Sequence, residues 1–568
     1  MSGAPKRNCH LYWSAPPTRS DLDEGDIALA FQSPPGRSSQ DERLFPADDL
    51  IDWDTRAAIE DRVRQVLQNA RDMLDDDSQA ALLTGAEYDL RVEFTNLISA
   101  YVVVRRLRDV DRHAYEVLPD RDCPSAVALG AAAAFEHTWS IFDWRPVLTC
   151  SSASLRHKSI AAALNAYALI ADRDAVRILA VPGLKLGSAL LEVPSSVLRD
   201  VGLAVINLPG LSQRDMTRLI WRSRVNGLGT PKCSPRRARG GVAHDGVLLD
   251  GALDDDPTLD HVLHQAANAV IARTSTATRQ TMSVLASLER LPQLRTVLLP
   301  TTALGVTRLV RDWAVARGVT VAAMQHGFYV YCDWDGADRL ADVVLGWSPT
   351  VEEQMLQWPG STPRLAVVGT PGLMRSARPP TERVAKVLVA TTNSPLGTAL
   401  LPWSYCHLYM AALAPGLRRL MNGGVSVTLR IHPSESMNDY KQLTMRLGLS
   451  NIHIGARGPF SVAAADNDLL ISPESSVALE AGAGGMPVMM WAGALTPSLR
   501  RRYLVPPLSE SLPATFSTSD EFEDLVARIL KEPSTGLDDA YKLGQRLGLF
   551  AMPADRDALS DTLRELAA

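Results

Sequence analysis

From about residue 176 onward the chain alternates short apolar runs with longer stretches of helical period, and it does so twice. The first series of runs is 177–181, 203–208, 296–300, 319–324, 343–345 and 364–368; the second is 386–390, 425–431, 451–454, 469–472 and 487–491. A continuous apolar run of about four to eight residues suits a strand buried on both faces, and helical crossovers between such strands make them parallel. The predicted fold class is therefore α/β, with two Rossmann-like doubly wound lobes facing a cleft. Sheets of this kind bind ligands outside the carboxyl ends of their strands. Residues 372–382, with Pro379 and Pro380, break the pattern and are the predicted linker.

The remainder of the 568 residues must form further structure, because a chain of this length exceeds one hydrophobic core. Residues 1–170 read as a largely helical extension with two strand-like runs at 10–13 and 26–31. Within it, Ile51, Ile59, Val63, Val66 and Leu67 recur at helix spacing across the acidic stretch 41–77, predicting an amphipathic surface helix. The alanine-rich run 125–135 is too short to span a bilayer, which takes about 20 residues, and reads as a buried helix. The first 20 residues lack the apolar core of a secretory signal. Six scattered cysteines (Cys9, Cys123, Cys150, Cys233, Cys332, Cys406) contain no CxxC pair and are expected to be reduced thiols. Together these predict a cytoplasmic protein with at most peripheral contact at the inner face of a membrane. A net charge of −6 disfavours nucleic acid as a partner, since counterion release needs a basic excess.

Three segments carry chemistry. In 468–487 a buried strand ends at Ser472, a polar turn follows, and Ser475 and Ser476 open a helix whose free N–H groups and dipole favour an anion such as a diphosphate. Glu480, one turn later, is placed to accept from ribose hydroxyls. The plainer alternative makes the serines helix caps and Glu480 a solvated carboxylate. In Arg430-Ile431-His432-Pro433 the proline holds His432 extended, so its imidazole projects from the strand's carboxyl end; a satisfied turn histidine is the alternative. In Met324-Gln325-His326-Gly327-Phe328, Gly327 permits a tight turn that leaves the Gln325 and His326 side chains, or the turn amides, facing the cleft. A structural turn competes with that reading.

Other features weigh less. Residues 221–241 hold Arg222, Arg224, Lys232, Arg236, Arg237 and Arg239 among Gly and Pro, and read as a loop, either solvated or in contact with an anionic acceptor. His261 and His264 share a helix face without a third ligand, so no metal is predicted. Gly482-Ala483-Gly484-Gly485 reads as a helix stop and not a dinucleotide fingerprint.

In order along the chain, Gln325-His326-Gly327, Ala341-Asp342-Val343-Val344-Leu345-Gly346-Trp347, Val367-Val368-Gly369-Thr370-Pro371, Arg430-Ile431-His432-Pro433, and Ser475-Ser476 with Glu480 and Gly485-Met486-Pro487 resemble bacterial surface-carbohydrate transferases. These include the CDP-glycerol glycerophosphotransferases, the bacterial polysialyltransferases and related capsule polymerases. The resemblance covers about residues 296–492. It implies a GT-B fold, a nucleotide-activated donor of CMP, CDP or UDP type, and donor-phosphate contacts from His432, Ser475 and Ser476. The polysialyltransferases carry an acidic pair before glycine as general base. Here Asp333-Trp334-Asp335-Gly336 comes nearest but follows the Gln-His-Gly turn, leaving the base unassigned.

The expectation is a glycosyltransferase that moves a sugar or polyol phosphate to a glycan or lipid-linked acceptor in surface polysaccharide synthesis, with no cofactor. Residues 171–375 would form the acceptor lobe, 376–540 the nucleotide lobe and 541–568 a C-terminal helix. His432, His326 and Gln325 are the candidate catalytic residues; Arg430, His432, Ser475, Ser476 and Glu480 the donor site; Arg236, Arg237 and Arg239 the acceptor site. An epimerase or hydrolase of nucleotide sugars shares the fold. A binding scaffold without a base is the third possibility.

Overall fold

The computed structural model describes residues 7–13, 26–31, 44–74, 77–110, 115–120, 123–135, 173–206, 208, 219–220, 226–228, 252–289, 291–332, 335–373, 383–392, 404–433, 435–455, 460–493, 495 and 497–568. The chain divides into two compact units. One comprises 1–151, 243–275 and 393–412, and the other 152–242, 276–392 and 413–568.

The first unit has long helices as expected, and the two predicted strand-like runs join a sheet. It holds a four-stranded parallel sheet, β1 (Arg7–Tyr12), β2 (Ile27–Ala30), β3 (Leu44–Pro46) and β4 (Tyr115–Pro119), in the order β3-β2-β1-β4. β3 has three residues and β4 alternates buried with exposed positions, so neither makes a continuous apolar run. The predicted acidic helix is Trp53–Asp72, which buries Ile59, Val63, Val66 and Leu67. The alanine run forms the buried helix Ser125–Ala134, packed so tightly on Asp77–Val110 that a Cβ at Gly130 would lie 2.1 Å from the Leu97 carbonyl oxygen. Residues from 243–275 complete this core through Leu259, Leu263 and Ile271, and the Asp254 carboxylate accepts from the Arg62 guanidinium.

The second unit contains two parallel sheets, as the alternation predicted. The first comprises β5 (Ile178–Ala180), β6 (Leu203–Ile206), β7 (Asn226–Leu228), β8 (Thr296–Leu299), β9 (Thr320–Met324), β10 (Val343–Gly346) and β11 (Arg364–Val367), ordered β11-β10-β9-β8-β5-β6-β7. The second comprises β12 (Lys386–Ala390), β13 (Ser426–Arg430), β14 (His453–Ile454), β15 (Leu469–Ser472), β16 (Val488–Trp491) and β17 (Thr515–Phe516), ordered β14-β13-β12-β15-β16-β17. Numbered within itself, the second sheet reads 3-2-1-4-5-6, the Rossmann order, and the first is the same order with one strand added. Every pairing is parallel, so successive strands require crossover connections, for which the right hand is the general rule.

The C-terminal residues serve both sheets. Helix Asp538–Gly548 packs on helix Ser476–Ala483 through glycine on each side. The chain then crosses to the first sheet, where Thr370 N–H donates to the Met552 carbonyl, and Leu559, Leu563 and Leu566 of helix Arg556–Ala567 enter the core under β5, β6 and β8–β10. What was expected as a single helix at 541–568 is thus two helices joined by a crossing. Most of the predicted linker at 372–382 lies outside the described residues, and so does the Arg-rich segment apart from Asn226–Leu228, which form the edge strand β7 and not a loop. Among the described residues no helix is long and apolar enough to cross a membrane, and Cys9, Cys123, Cys332 and Cys406 form no disulfide.

Candidate functional site

The strand order of the second sheet reverses between β12 and β15, and the crevice outside their carboxyl ends is where such sheets take a ligand. Two of the predicted segments flank that point. β13 brings Arg430 and His432 to one side, and β15 brings Ser475 and Ser476 to the other.

The His432 turn is held by residues that sequence reading did not single out. Thr391, at the end of β12, accepts the His432 N–H on its hydroxyl at 2.9 Å and itself bonds the Glu435 carboxylate. The other Glu435 oxygen accepts from the Tyr440 hydroxyl at 2.9 Å. With Pro433 keeping residue 432 out of helix, this Thr-Glu-Tyr relay fixes where the histidine leaves the strand.

On the other side, helix Ser476–Ala483 starts without using its serines as caps. Ser475 is the extended N-cap residue (φ −150°, ψ 150°) and its side chain makes no capping bond. The Ser476 hydroxyl instead accepts from the Phe328 N–H at 3.1 Å, in the Gln-His-Gly turn of the first sheet. A Cβ at Gly327 would lie 3.2 Å from that hydroxyl, so glycine is what lets the turn come this close. Within the first turn the Ala478 N–H already donates to the Ser475 carbonyl at 3.0 Å, so the amides of Ser476 and Val477 are the ones that can serve a further acceptor.

Glu480, one turn along, pairs with Lys185 (Nζ to Oε1 3.1 Å), which opens helix Leu184–Glu192 at the carboxyl end of β5. The same ammonium stands over the Trp347 ring, 5.5 Å from its centroid. Arg430 also interacts with Glu480: burial lowers the guanidinium's pKa, and the carboxylate's charge works against that shift. Arg430 further lies over the Phe460 ring, 5.9 Å from its centroid.

Gln325 does not face outward as expected. It is fully buried, its Oε1 accepts from the Trp347 N–H at 2.9 Å, and its Nε2 donates to the Gly327 carbonyl at 3.0 Å. The Trp347 indole N–H returns a bond of 2.9 Å to the Gln325 carbonyl. Buried amides must be paired, and this one is paired by bracing β9 against β10, which sets the turn geometry. His326 beside it is half-buried, and its Nδ1 is buried with no partner among the described residues. Arg236, Arg237 and Arg239 lie outside the described residues, as do Asp333 and Trp334.

The structure therefore brings Ser476, Glu480, Arg430 and the Gln-His-Gly turn together, and adds Lys185. The available signal was a lysine two residues after Gly183, the N-cap residue of the helix that follows β5.

No protein-family model and no curated protein sequence matches the chain. Among solved structures it is similar in chain path to MurG from Acinetobacter baumannii, at 14% identity over 69% of this chain and 99% of that one, TM-score 0.37. A UDP-GlcNAc 2-epimerase from Neisseria meningitidis bound to UDP-GlcNAc matches at 10% identity over 69% and 99%, TM-score 0.39. A ugt transferase from Siraitia grosvenorii in complex with UDP matches at 12% over 69% and 100%, TM-score 0.40. Identities and scores this low transfer neither activity nor substrate.

Proposed function

We propose that the chain transfers a sugar or polyol phosphate from a nucleotide-activated donor to a glycan or lipid-linked acceptor, with the donor's nucleotide on the second sheet. The observation that supports this most is the convergence, at the β12–β15 reversal, of an uncapped helix start, two cations and a carboxylate. The helix amides and the Ser475 and Ser476 hydroxyls suit a diphosphate, and Glu480 suits ribose. Arg430 and His432 stand on the other side of the reversal, where their charge complements the phosphates. Gln325 acts in this reading by positioning the Gly327 turn, and His326 acts from the acceptor side.

Full-length protein titrated with CMP, CDP, UDP and GDP, then incubated with the matching sugar or polyol donor and acceptor, tests the proposal. Glycosylated or phospho-polyol acceptor is the expected product. Interconverted or hydrolysed free donor identifies an epimerase or hydrolase instead, and binding without turnover identifies a scaffold. Replacing Ser475 and Ser476 together by alanine should weaken nucleotide affinity about tenfold or more, the loss of roughly two hydrogen bonds to a charged group. An intact double variant that binds nucleotide as before would remove the phosphate assignment.

The acceptor side rests on the segment with Arg236, Arg237 and Arg239, which we assign to an anionic acceptor on its charge alone. Changing all three to serine should raise the acceptor's KM without raising the donor's, and flatten the salt dependence of acceptor use. Unaltered acceptor kinetics would make the segment a solvated loop.

A further inference from the structure

The pair between Lys185 and Glu480 joins the two sheets of the second unit at their strand ends. Lys185 sits in the first turn of a helix that follows β5, and the first sheet reverses its strand order between β5 and β8. It thus stands beside the reversal of the first sheet as Ser476 stands beside that of the second, after the first strand of its sheet where Ser476 follows the fourth. Its ammonium is held by the Glu480 carboxylate at 3.1 Å and lies over the Trp347 ring, and Trp347 in turn donates its backbone N–H to Oε1 and its indole N–H to the main-chain carbonyl of buried Gln325. Glu480 also interacts with the half-buried Arg430. The Lys185–Glu480 pair thus lies next to a helix start, with the Arg430 cation within the carboxylate's electrostatic reach, a setting that favours an anion.

Resting on the donor-site reading above, we propose that Lys185 is a ligand of the donor's diphosphate supplied by the first sheet, and that its pair with Glu480 is the contact which bound nucleotide replaces. On binding, the ribose hydroxyls take over Glu480 as their acceptor and the phosphate oxygens take over the ammonium. Lys185 exchanges one anionic partner for another, and Glu480 exchanges a cation for neutral donors. The phosphates decide the balance, because they present more negative charge to the ammonium than the carboxylate does. A nucleoside without phosphates gains nothing from Lys185 and has to break the pair to reach Glu480.

The two halves of the exchange respond oppositely to one substitution, which is the test. CDP, UDP, cytidine and uridine are titrated calorimetrically against wild type, Lys185→Met and Lys185→Arg at several salt concentrations. Lys185→Met should weaken the better-binding diphosphate about tenfold and flatten its salt dependence, while the parent nucleoside binds at least as well as before. Lys185→Arg should keep most of the diphosphate affinity, which also guards against a methionine variant that merely misfolds. Equal loss of diphosphate and nucleoside affinity, or unchanged diphosphate affinity, overturns the role of Lys185. If Ser475→Ala with Ser476→Ala still weakens the diphosphate in that case, the donor site stands without Lys185. If wild type binds none of these four ligands, and neither CMP nor GDP, the donor-site reading itself falls, and this inference with it.

Discussion

Turnover falls by about 10²–10⁴ when His432 is replaced by alanine, the range for a positioned acid–base group, with a smaller loss of donor affinity. The expectation rests on position. His432 leaves β13 beside the reversal point, in the same sheet as Ser475 and Ser476, so it stands on the side of the nucleotide and not of the attacking acceptor. An imidazole next to a diphosphate has its protonated form favoured by the neighbouring negative charge. It then stabilises charge that grows on the departing nucleotide, an interaction stronger in the transition state than in the ground state. A donor with a much better leaving group needs that help less. Such a donor should rescue His432→Ala substantially and leave His326→Ala impaired. The reverse pattern would exchange the two roles.

The second large effect is on stability. Gly482 lies inside the Ser476 helix, and a Cβ there would stand 2.1 Å from the Gly544 carbonyl oxygen and 2.8 Å from the Gly548 nitrogen. Both are backbone atoms of helix Asp538–Gly548 and cannot swing aside as a side chain would. Gly482→Ala should cost about 3 kcal/mol or more, since one helix must move bodily, and should weaken nucleotide binding because Ser476 moves with it. Two residues on, Gly484 offers a control: its nearest atoms to an added Cβ are 3.4 Å away and its φ is ordinary, so Gly484→Ala should stay within about 0.5 kcal/mol. Urea denaturation of the two variants checks the contrast. Equal tolerance of both would mean the two helices do not meet through glycine.

That pair of glycines shows where sequence reading stopped. The string Gly482-Ala483-Gly484-Gly485 was legible as a helix end, and Gly485 does take the left-handed turn (φ 74°) that ends it. Gly482 serves a contact with residues more than 60 positions away, which no local pattern encodes. The two doubly wound sheets were legible because strands buried on both faces must be apolar throughout. In the first unit the runs at 10–13 and 26–31 fall on β1 and β2, whereas β3 and β4 left no such signal, because β3 has three residues and β4 is buried on one face only.

The candidate site divides in the same way. Ser475, Ser476, Glu480, Arg430 and His432 stand at strand ends or a helix start, where chain direction alone sets orientation. The Gly327 turn allows either the Gln325 and His326 side chains or the turn amides to face the cleft, or a purely structural turn, and local sequence does not choose among these; in the fold the Gln325 amide is consumed by Trp347 and Gly327. Thr391 supports His432 from another segment, 41 positions away, and Lys185 acquires its meaning only from Glu480, 295 positions away.

The central claim, a nucleotide on the second sheet at the β12–β15 reversal, is tested most directly by amide hydrogen exchange of the full-length protein with and without the tightest-binding nucleotide. The account predicts slowed exchange in residues 474–479 and 430–433, with Ser475→Ala and Ser476→Ala abolishing the effect. Protection confined to the first unit or to strand ends of the first sheet, with the Ser476 helix start unchanged, would contradict it.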